Sequence, residues 1–197
     1  MGRKSYLIIK RAVDLLLSAV LLLVLSPLLI ALSVWVKLDS PGTVFFRQKR
    51  VGKGKKYFQI YKFRSMRSDA PKDVPTHLMT GADRLITHSG RVLRKTSLDE
   101  LPQLINILQG DMSFVGPRPA LWNQYDLIEE RDKYGANDVT PGLTGLAQVS
   151  GRDELSIEDK AAKDGEYVRR MSLGEDIGIL FRTVANVIRH KGYKDNE

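Results

Sequence analysis

Two carboxylates stand side by side in Arg94-Lys95-Thr96-Ser97-Leu98-Asp99-Glu100-Leu101-Pro102-Gln103. A carboxylate can act as a nucleophile, a proton acceptor or a ligand to a hard cation. Neighbouring positions on a helix point about 100° apart, so this pair cannot flank a glycosidic bond as a glycosidase requires. The same residues also fit a structural role. Ser97 followed three positions later by Glu100 matches a capping box, and acidic side chains in a first helical turn suit the helix dipole. A helix N-terminus also aims backbone N–H groups at an anion, so a cap and a catalytic Asp99 are compatible.

Further along, Ser113-Phe114-Val115-Gly116-Pro117-Arg118-Pro119 holds an arginine between two prolines. Each proline fixes its own φ and restricts the residue before it, which stiffens the presentation of the guanidinium. Forked N–H donors match phosphate oxygens, so Arg118 is either a phosphate clamp or an incidental charge on a rigid loop. Lys62 and Arg64 fall on one face of an expected strand, where they form a solvated patch or part of a phosphate site. The chain has no cysteine, and its three histidines, His77, His88 and His190, are too few and too scattered for a His-rich metal site. Neither a Gly-x-x-x-x-Gly-Lys loop nor a Gly-x-Gly-x-x-Gly fingerprint is present.

These residues need a scaffold, and 197 residues with 43% hydrophobic content give room for one domain plus an appendage. Residues 12–36 are apolar apart from Asp14, Ser18, Ser26 and Ser33. At about 1.5 Å per residue this stretch is long enough for a hydrocarbon core, and too long for the apolar region of a cleaved signal. Arg3, Lys4, Lys10 and Arg11 precede it; Lys37, Arg47, Lys49, Arg50, Lys53, Lys55 and Lys56 follow it. Both flanks are therefore basic, which places both on the cytoplasmic side. Ser26-Pro27 breaks or kinks the helix at mid-segment. A kinked transmembrane helix and a helix that leaves by the face it entered both fit the break; the paired basic flanks favour re-entry.

The turn-rich Asp39-Ser40-Pro41-Gly42 marks a boundary, giving an embedded segment at residues 1–40 and a cytoplasmic-face domain at residues 41–197. Strands are expected at 44–51 and 56–66 around Gly52-Lys53-Gly54, followed by a long loop over 67–89. Leu101, Leu104, Ile105 and Leu108 make the stripe of a helix that Gly110 ends, with Asp99, Gln103 and Asn106 opposite. A helix over 120–134, a short strand through Val149 and two helices capped by Ser156 and Ser172 complete the reading. The last helix carries a broad apolar stripe of Leu173, Ile177, Leu180, Phe181, Val184, Val187 and Ile188, for which core packing is the default explanation and a bilayer interface the alternative. The fold class is mixed α/β, membrane-associated, with a small antiparallel element and several amphipathic helices. A net charge of +8 suits polyanionic partners. It also fits a membrane-tethered basic module that binds anionic lipid or nucleic acid without catalysis, although no nucleic-acid recognition motif is present.

Four blocks in this order carry a family resemblance: Lys62-Phe63-Arg64-Ser65-Met66, Ser97-Leu98-Asp99-Glu100-Leu101-Pro102-Gln103, residues 110–119, and Pro141-Gly142-Leu143-Thr144-Gly145-Leu146-Ala147-Gln148-Val149. Together they resemble the monotopic phosphoglycosyl transferases among the bacterial sugar transferases, in a minimal form without the extra N-terminal region of longer relatives. The resemblance implies transfer of a sugar 1-phosphate from a UDP-sugar to polyprenol (undecaprenyl) phosphate, with release of UMP. That is the first membrane step of glycoconjugate assembly, at the cytoplasmic face of the bacterial inner membrane. It implies Asp99 as the nucleophile of a covalent phosphosugar intermediate and Mg²⁺ as the cofactor, with Asp99 on the metal side. Glu100 acts through the metal or as a proton acceptor. The helix break at Ser26-Pro27 matches the family's re-entrant bend. Lys62, Arg94 and Arg118, then Arg64 and Arg152, are the phosphate-contact residues expected, and Thr144, Gln148 and Arg152 belong near the nucleotide-sugar pocket. Leu146 departs from the pattern, standing where relatives often carry an aromatic.

Overall fold

A computed structural model describes residues 2–71, 73–74, 81–151 and 155–188. The apolar segment forms two helices, α1 (Arg3–Val24) and α2 (Ser26–Asp39), bent by 63° at Leu25. Pro27 has no N–H for the Leu23 carbonyl one turn back, and the Ser26 hydroxyl donates to that carbonyl instead at 2.8 Å. The bend therefore leaves no orphaned acceptor at Leu23. Among the described residues no single helix is long and apolar enough to cross a membrane; this bent pair passes only when taken together.

The burial pattern of α1 is inverted. Its buried residues are Tyr6, Lys10, Asp14 and Ser18, four apart on one face, while Ile8, Leu16, Val20, Leu23 and Val24 are exposed. The polar stripe is satisfied inside the protein. Tyr6 and Lys10 donate to Asp176 Oδ2 at 2.8 and 2.7 Å, and Asp14 Oδ1 accepts from the Phe114 N–H at 3.1 Å. Arg11 donates to the carbonyls of Ile107 and Leu108 at 2.6 and 2.9 Å. The polar groups of α1 are thus paired inward and its apolar side chains lie outward.

Strands β1 (Phe45–Val51) and β2 (Tyr57–Phe63) form the expected antiparallel hairpin, joined through a tight 3-10 turn at Lys53–Lys55. β2 stops at Phe63, three residues before Met66, so the alternation that would pair Lys62 with Arg64 lapses between them. Helix α3 (His88–Lys95) begins inside the expected loop, where the Thr87 side chain accepts from the Gly90 N–H. Helix α4 (Gln103–Gln109) ends as expected at Gly110, which adopts φ 96°. Its faces differ from the expectation, because Asn106 is fully buried and Leu108 is exposed. Asn106 accepts from the Tyr61 N–H and donates to the Gln59 carbonyl, stitching α4 to β2.

Strands β3 (Ser113–Val115) and β4 (Gly142–Thr144) form a short parallel pair that the sequence reading does not contain. Gly116 and Gly142 make it possible: a Cβ on Gly142 would lie 2.1 Å from the Gly116 nitrogen. The two glycine-bearing motifs are thus docked backbone to backbone. Helix α5 (Tyr125–Asp132) is shorter than the 120–134 expected. Helix α6 (Leu146–Ser150) replaces the strand expected through Val149, whose N–H bonds the Gly145 carbonyl one turn back. Helices α7 (Ile157–Arg170) and α8 (Leu173–Ile188) start at Ser156 and Ser172, whose hydroxyls accept from the N–H of Asp159 and Glu175.

The main core joins Ile60, Leu104, Ile107, Phe114, Val115 and Ile179, with Leu21, Leu22 and Leu25 packed against it. Core packing does not account for the stripe on α8. Ile177, Phe181, Val184, Val187 and Ile188 all lie exposed, so their face points away from the core, as on α1. The fold is mixed and mainly helical, with one small antiparallel hairpin.

Candidate active site

Asp99 and Glu100 sit in a single 3-10 turn, Leu98–Glu100, ahead of α4. The capping box does not form. Ser97 makes no cap hydrogen bond and lies in the left-handed region at φ 57°, and α4 begins only at Gln103. A non-glycine residue with positive φ carries backbone strain, here two positions before Asp99. Glu100 turns instead towards two cations. Lys62 Nζ, from β2, and Arg118 Nη2 both donate to Glu100 Oε1 at 2.7 Å. Asp99 Oδ2 lies 4.0 Å from the same Lys62 Nζ.

This asymmetry separates the two acids. Burial pushes both carboxyls up, but in Glu100 the attraction and hydrogen bonds of Arg118 and Lys62 outweigh it and hold the group well below the usual carboxylate range. In Asp99 burial wins: Lys62, Arg94 and Arg118 pull the value down, the neighbouring Glu100 charge adds to burial, and the net shift is upward. Glu100 is thus the firmly ionised anchor, and Asp99 the more basic oxygen beside it.

Arg118 is braced from behind. Pro119 has no N–H, and the carbonyls on either side of the Arg118–Pro119 bond are taken by two other arginines. Arg131 Nη1 donates to the Arg118 carbonyl at 2.9 Å, and Arg50 Nη1 to the Pro119 carbonyl at 3.0 Å. Arg131 in turn holds Asp164 Oδ2 with both Nε and Nη2. Burial, with Arg118 close by, lowers the Arg50 pKa to about 9, which leaves it charged at neutral pH. Sequence reasoning missed Arg50, Arg131 and Asp164. Arg131 lies in the run Glu129-Glu130-Arg131-Asp132-Lys133, which reads as a solvated face.

The remaining expected residues divide. Lys62, Arg94 and Arg118 all act on the dyad, Arg94 from the last turn of α3. Arg64 does not join them: it is buried and donates to the carbonyls of Val36, Ser40 and Pro41, tying the end of α2 to the hairpin. Thr144 and Gln148 line a cavity of about 340 Å³ that also reaches Glu100 but not Asp99. Arg152 lies outside the described residues.

No group of three or more acidic or histidine side chains suited to a metal occurs among the described residues. The dyad offers two carboxylates, which is the protein share that Mg²⁺ takes when substrate phosphates complete its shell. Adjacent carboxylates are oxygen donors of the kind a hard cation takes.

A family model described as bacterial sugar transferase matches residues 5–190. The chain belongs to the bacterial sugar transferase family. It is 44% identical to a UDP-glucose:undecaprenyl-phosphate glucose-1-phosphate transferase of Escherichia coli K12, over 90% of this chain and 39% of that one. It is 38% identical to a UDP-N-acetylgalactosamine-undecaprenyl-phosphate N-acetylgalactosaminephosphotransferase of Aeromonas hydrophila, over 93% of this chain and 44% of the relative. With the exopolysaccharide production protein ExoY of Rhizobium meliloti it shares 37% identity over 93% of this chain and 87% of the other. The chain thus spans about two fifths of the length of the first two family members and most of the third.

Proposed function

We propose that this protein transfers sugar 1-phosphate from a UDP-sugar to a polyprenol phosphate, with undecaprenyl phosphate as the acceptor named for its relatives, and releases UMP. The observation that carries the reading is the asymmetric dyad: one carboxylate fixed by hydrogen bonds from two cations, and beside it a second, more basic carboxylate 4.0 Å from Lys62. In the first half-reaction an Asp99 carboxylate oxygen bonds to the sugar-bearing phosphorus, and the bond from that phosphorus to the bridging oxygen breaks. UMP departs with the electron pair. In the second, an oxygen of the acceptor phosphate bonds to the same phosphorus and the Asp99 ester bond breaks, returning the carboxylate.

Lys62 and Arg118, oriented by Glu100, meet the charge of the diphosphate, with Arg94 contributing from α3. Glu100 organises these cations; a carboxylate held so acidic is a poor proton acceptor. Mg²⁺, held by Asp99 and Glu100 with substrate oxygens, would supply further neutralisation of phosphate charge.

The outward apolar faces of α1 and α8 support a seat on the cytoplasmic face of the inner membrane, with the α1–α2 pair dipping in and returning at its 63° bend. Incubation with a panel of UDP-sugars and undecaprenyl phosphate in nanodiscs tests the reaction. UMP and a lipid diphosphosugar are the expected products. Release of UDP, with a sugar transferred without its phosphate, would overturn the proposal.

A further inference from the structure

The cavity beside the dyad has walls of an unusual origin. It is lined by Leu21 and Leu25, at the α1–α2 break, and by Leu180 and Val187 of α8. These elements carry the exposed apolar faces of the molecule, and Val187 is itself among the exposed residues. The same cavity reaches Glu100 and the strained Ser97. A chain already dissolved in hydrocarbon could pass from the lipid-facing side to the dyad along an apolar wall, without a crossing through water.

The polar groups around the cavity are largely committed to the protein. The Thr144 and Thr183 hydroxyls bond each other at 2.7 Å, and Thr183 also donates to the Ile179 carbonyl. The Asn186 amide donates to the Val149 carbonyl, and the Gln148 amide to the Leu143 carbonyl. Gln148 Oε1 is buried without a partner, and Lys95, Ser97 and Glu100 bring further polar side chains to the lining. A sugar or a nucleobase needs several directed hydrogen bonds, whereas most of this lining is hydrocarbon, Leu21, Leu25, Leu104, Phe114, Leu180 and Val187 among it. A hydrocarbon chain needs none. The volume of about 340 Å³ suits the first few isoprene units and not a whole polyprenol, whose remainder would stay in the bilayer.

Resting on the reaction proposed above, we infer that this cavity is the acceptor's tail site: it takes the isoprene units nearest the phosphate and delivers that phosphate to Asp99 from the membrane side. The donor diphosphate then engages Lys62 and Arg118 outside the cavity, so that Thr144 and Gln148, expected beside the nucleotide sugar, line the acceptor's site instead. Leu21, Leu25, Leu180 and Val187 become the residues that select an isoprenoid acceptor.

The two half-reactions separate this inference from the one beneath it. With UDP-sugar alone, the unmodified protein should release one burst of UMP as the covalent ester forms. Leu180→Trp fills the cavity and should leave that burst and the donor KM within about twofold. The same change should raise the acceptor KM about tenfold or more, since the displaced isoprene carbons lose their apolar burial. A raised donor KM with an unchanged acceptor KM would assign the cavity to the donor, and no change in either would leave it without a substrate; both results overturn the inference. Absence of the burst in the unmodified protein would contradict the covalent reading instead, and the two KM values would still judge the cavity.

A second measurement needs no variant. A short prenyl phosphate with a diazirine on its first isoprene unit, photolysed with the unmodified protein in nanodiscs, should label residues 21–25 or the Leu180 and Val187 positions. Labelling confined to the outward Phe181 and Val184 would overturn the inference.

Discussion

Two buried charge clusters in this protein are built from similar parts and arranged differently. In the first, Asp176 is saturated: Tyr6 and Lys10 donate to its Oδ2 and Tyr167 to its Oδ1, all within 2.8 Å. In the second, Lys62 and Arg118 converge on one oxygen of Glu100, and Asp99 is left with its cation at 4.0 Å. A saturated cluster has nothing left to offer a ligand, and it locks α1 against α8. An unevenly paired cluster keeps one carboxylate available and a surplus of positive charge beside it. The contrast separates holding from reacting, and substitutions in the two clusters should fail in different ways.

The largest effect is expected at Asp99. Asp99→Asn should lower turnover by about 10⁴-fold or more, as removal of a covalent nucleophile does, with little change in melting temperature in detergent. A variant that loses stability together with activity would place Asp99 in the holding class. Asp176→Asn should do the reverse. Breaking a buried pair while leaving its cation costs about 3–5 kcal/mol, so the folded fraction should fall in a denaturant titration while activity per folded molecule stays within a few-fold.

Arg118→Lys comes next, with an expected loss in kcat of about 10²-fold, because a point charge cannot both reach Glu100 and present a fork to phosphate. Unchanged kinetics would return Arg118 to the class of incidental loop charges. The smallest effect is on pH dependence. Protonating Asp99 removes the nucleophile, so kcat/KM should fall as pH drops through a value above the ordinary 3.8, while Glu100 remains ionised there. Lys62→Gln deletes the main cation opposing that rise, and the acid limb should move to higher pH. A shift to lower pH would show that another group controls the limb.

Much of this contrast was legible in the chain, and what was not has identifiable physical causes. Pro27 announces the helix break because a missing N–H has the same consequence in any environment, and the hairpin, the Gly110 stop and the serine caps are equally local. The dyad and Arg118 stood out through residue type and motif order. Periodicity, by contrast, finds a stripe without saying which solvent it faces. That is why the α8 stripe lies outside the core, and why Asn106 rather than Leu108 is buried on α4. Long-range pairing is also silent in sequence. Arg131 with Asp164, Arg50 with the Pro119 carbonyl, and the docking of Gly116 on Gly142 join residues whose neighbours give no hint of them. Arg64 leaves the expected phosphate set because its strand ends one residue earlier, and its guanidinium serves carbonyls at the end of α2 and just beyond it.

The most direct test of the reacting cluster is to quench the protein within one turnover of mixing with a UDP-sugar, in the absence of acceptor, and weigh it intact and after digestion. A mass increase of one sugar phosphate is expected on the peptide that contains Asp99, absent from Asp99→Asn and discharged on addition of polyprenol phosphate. Turnover without such an adduct, or an adduct on another side chain, would contradict it.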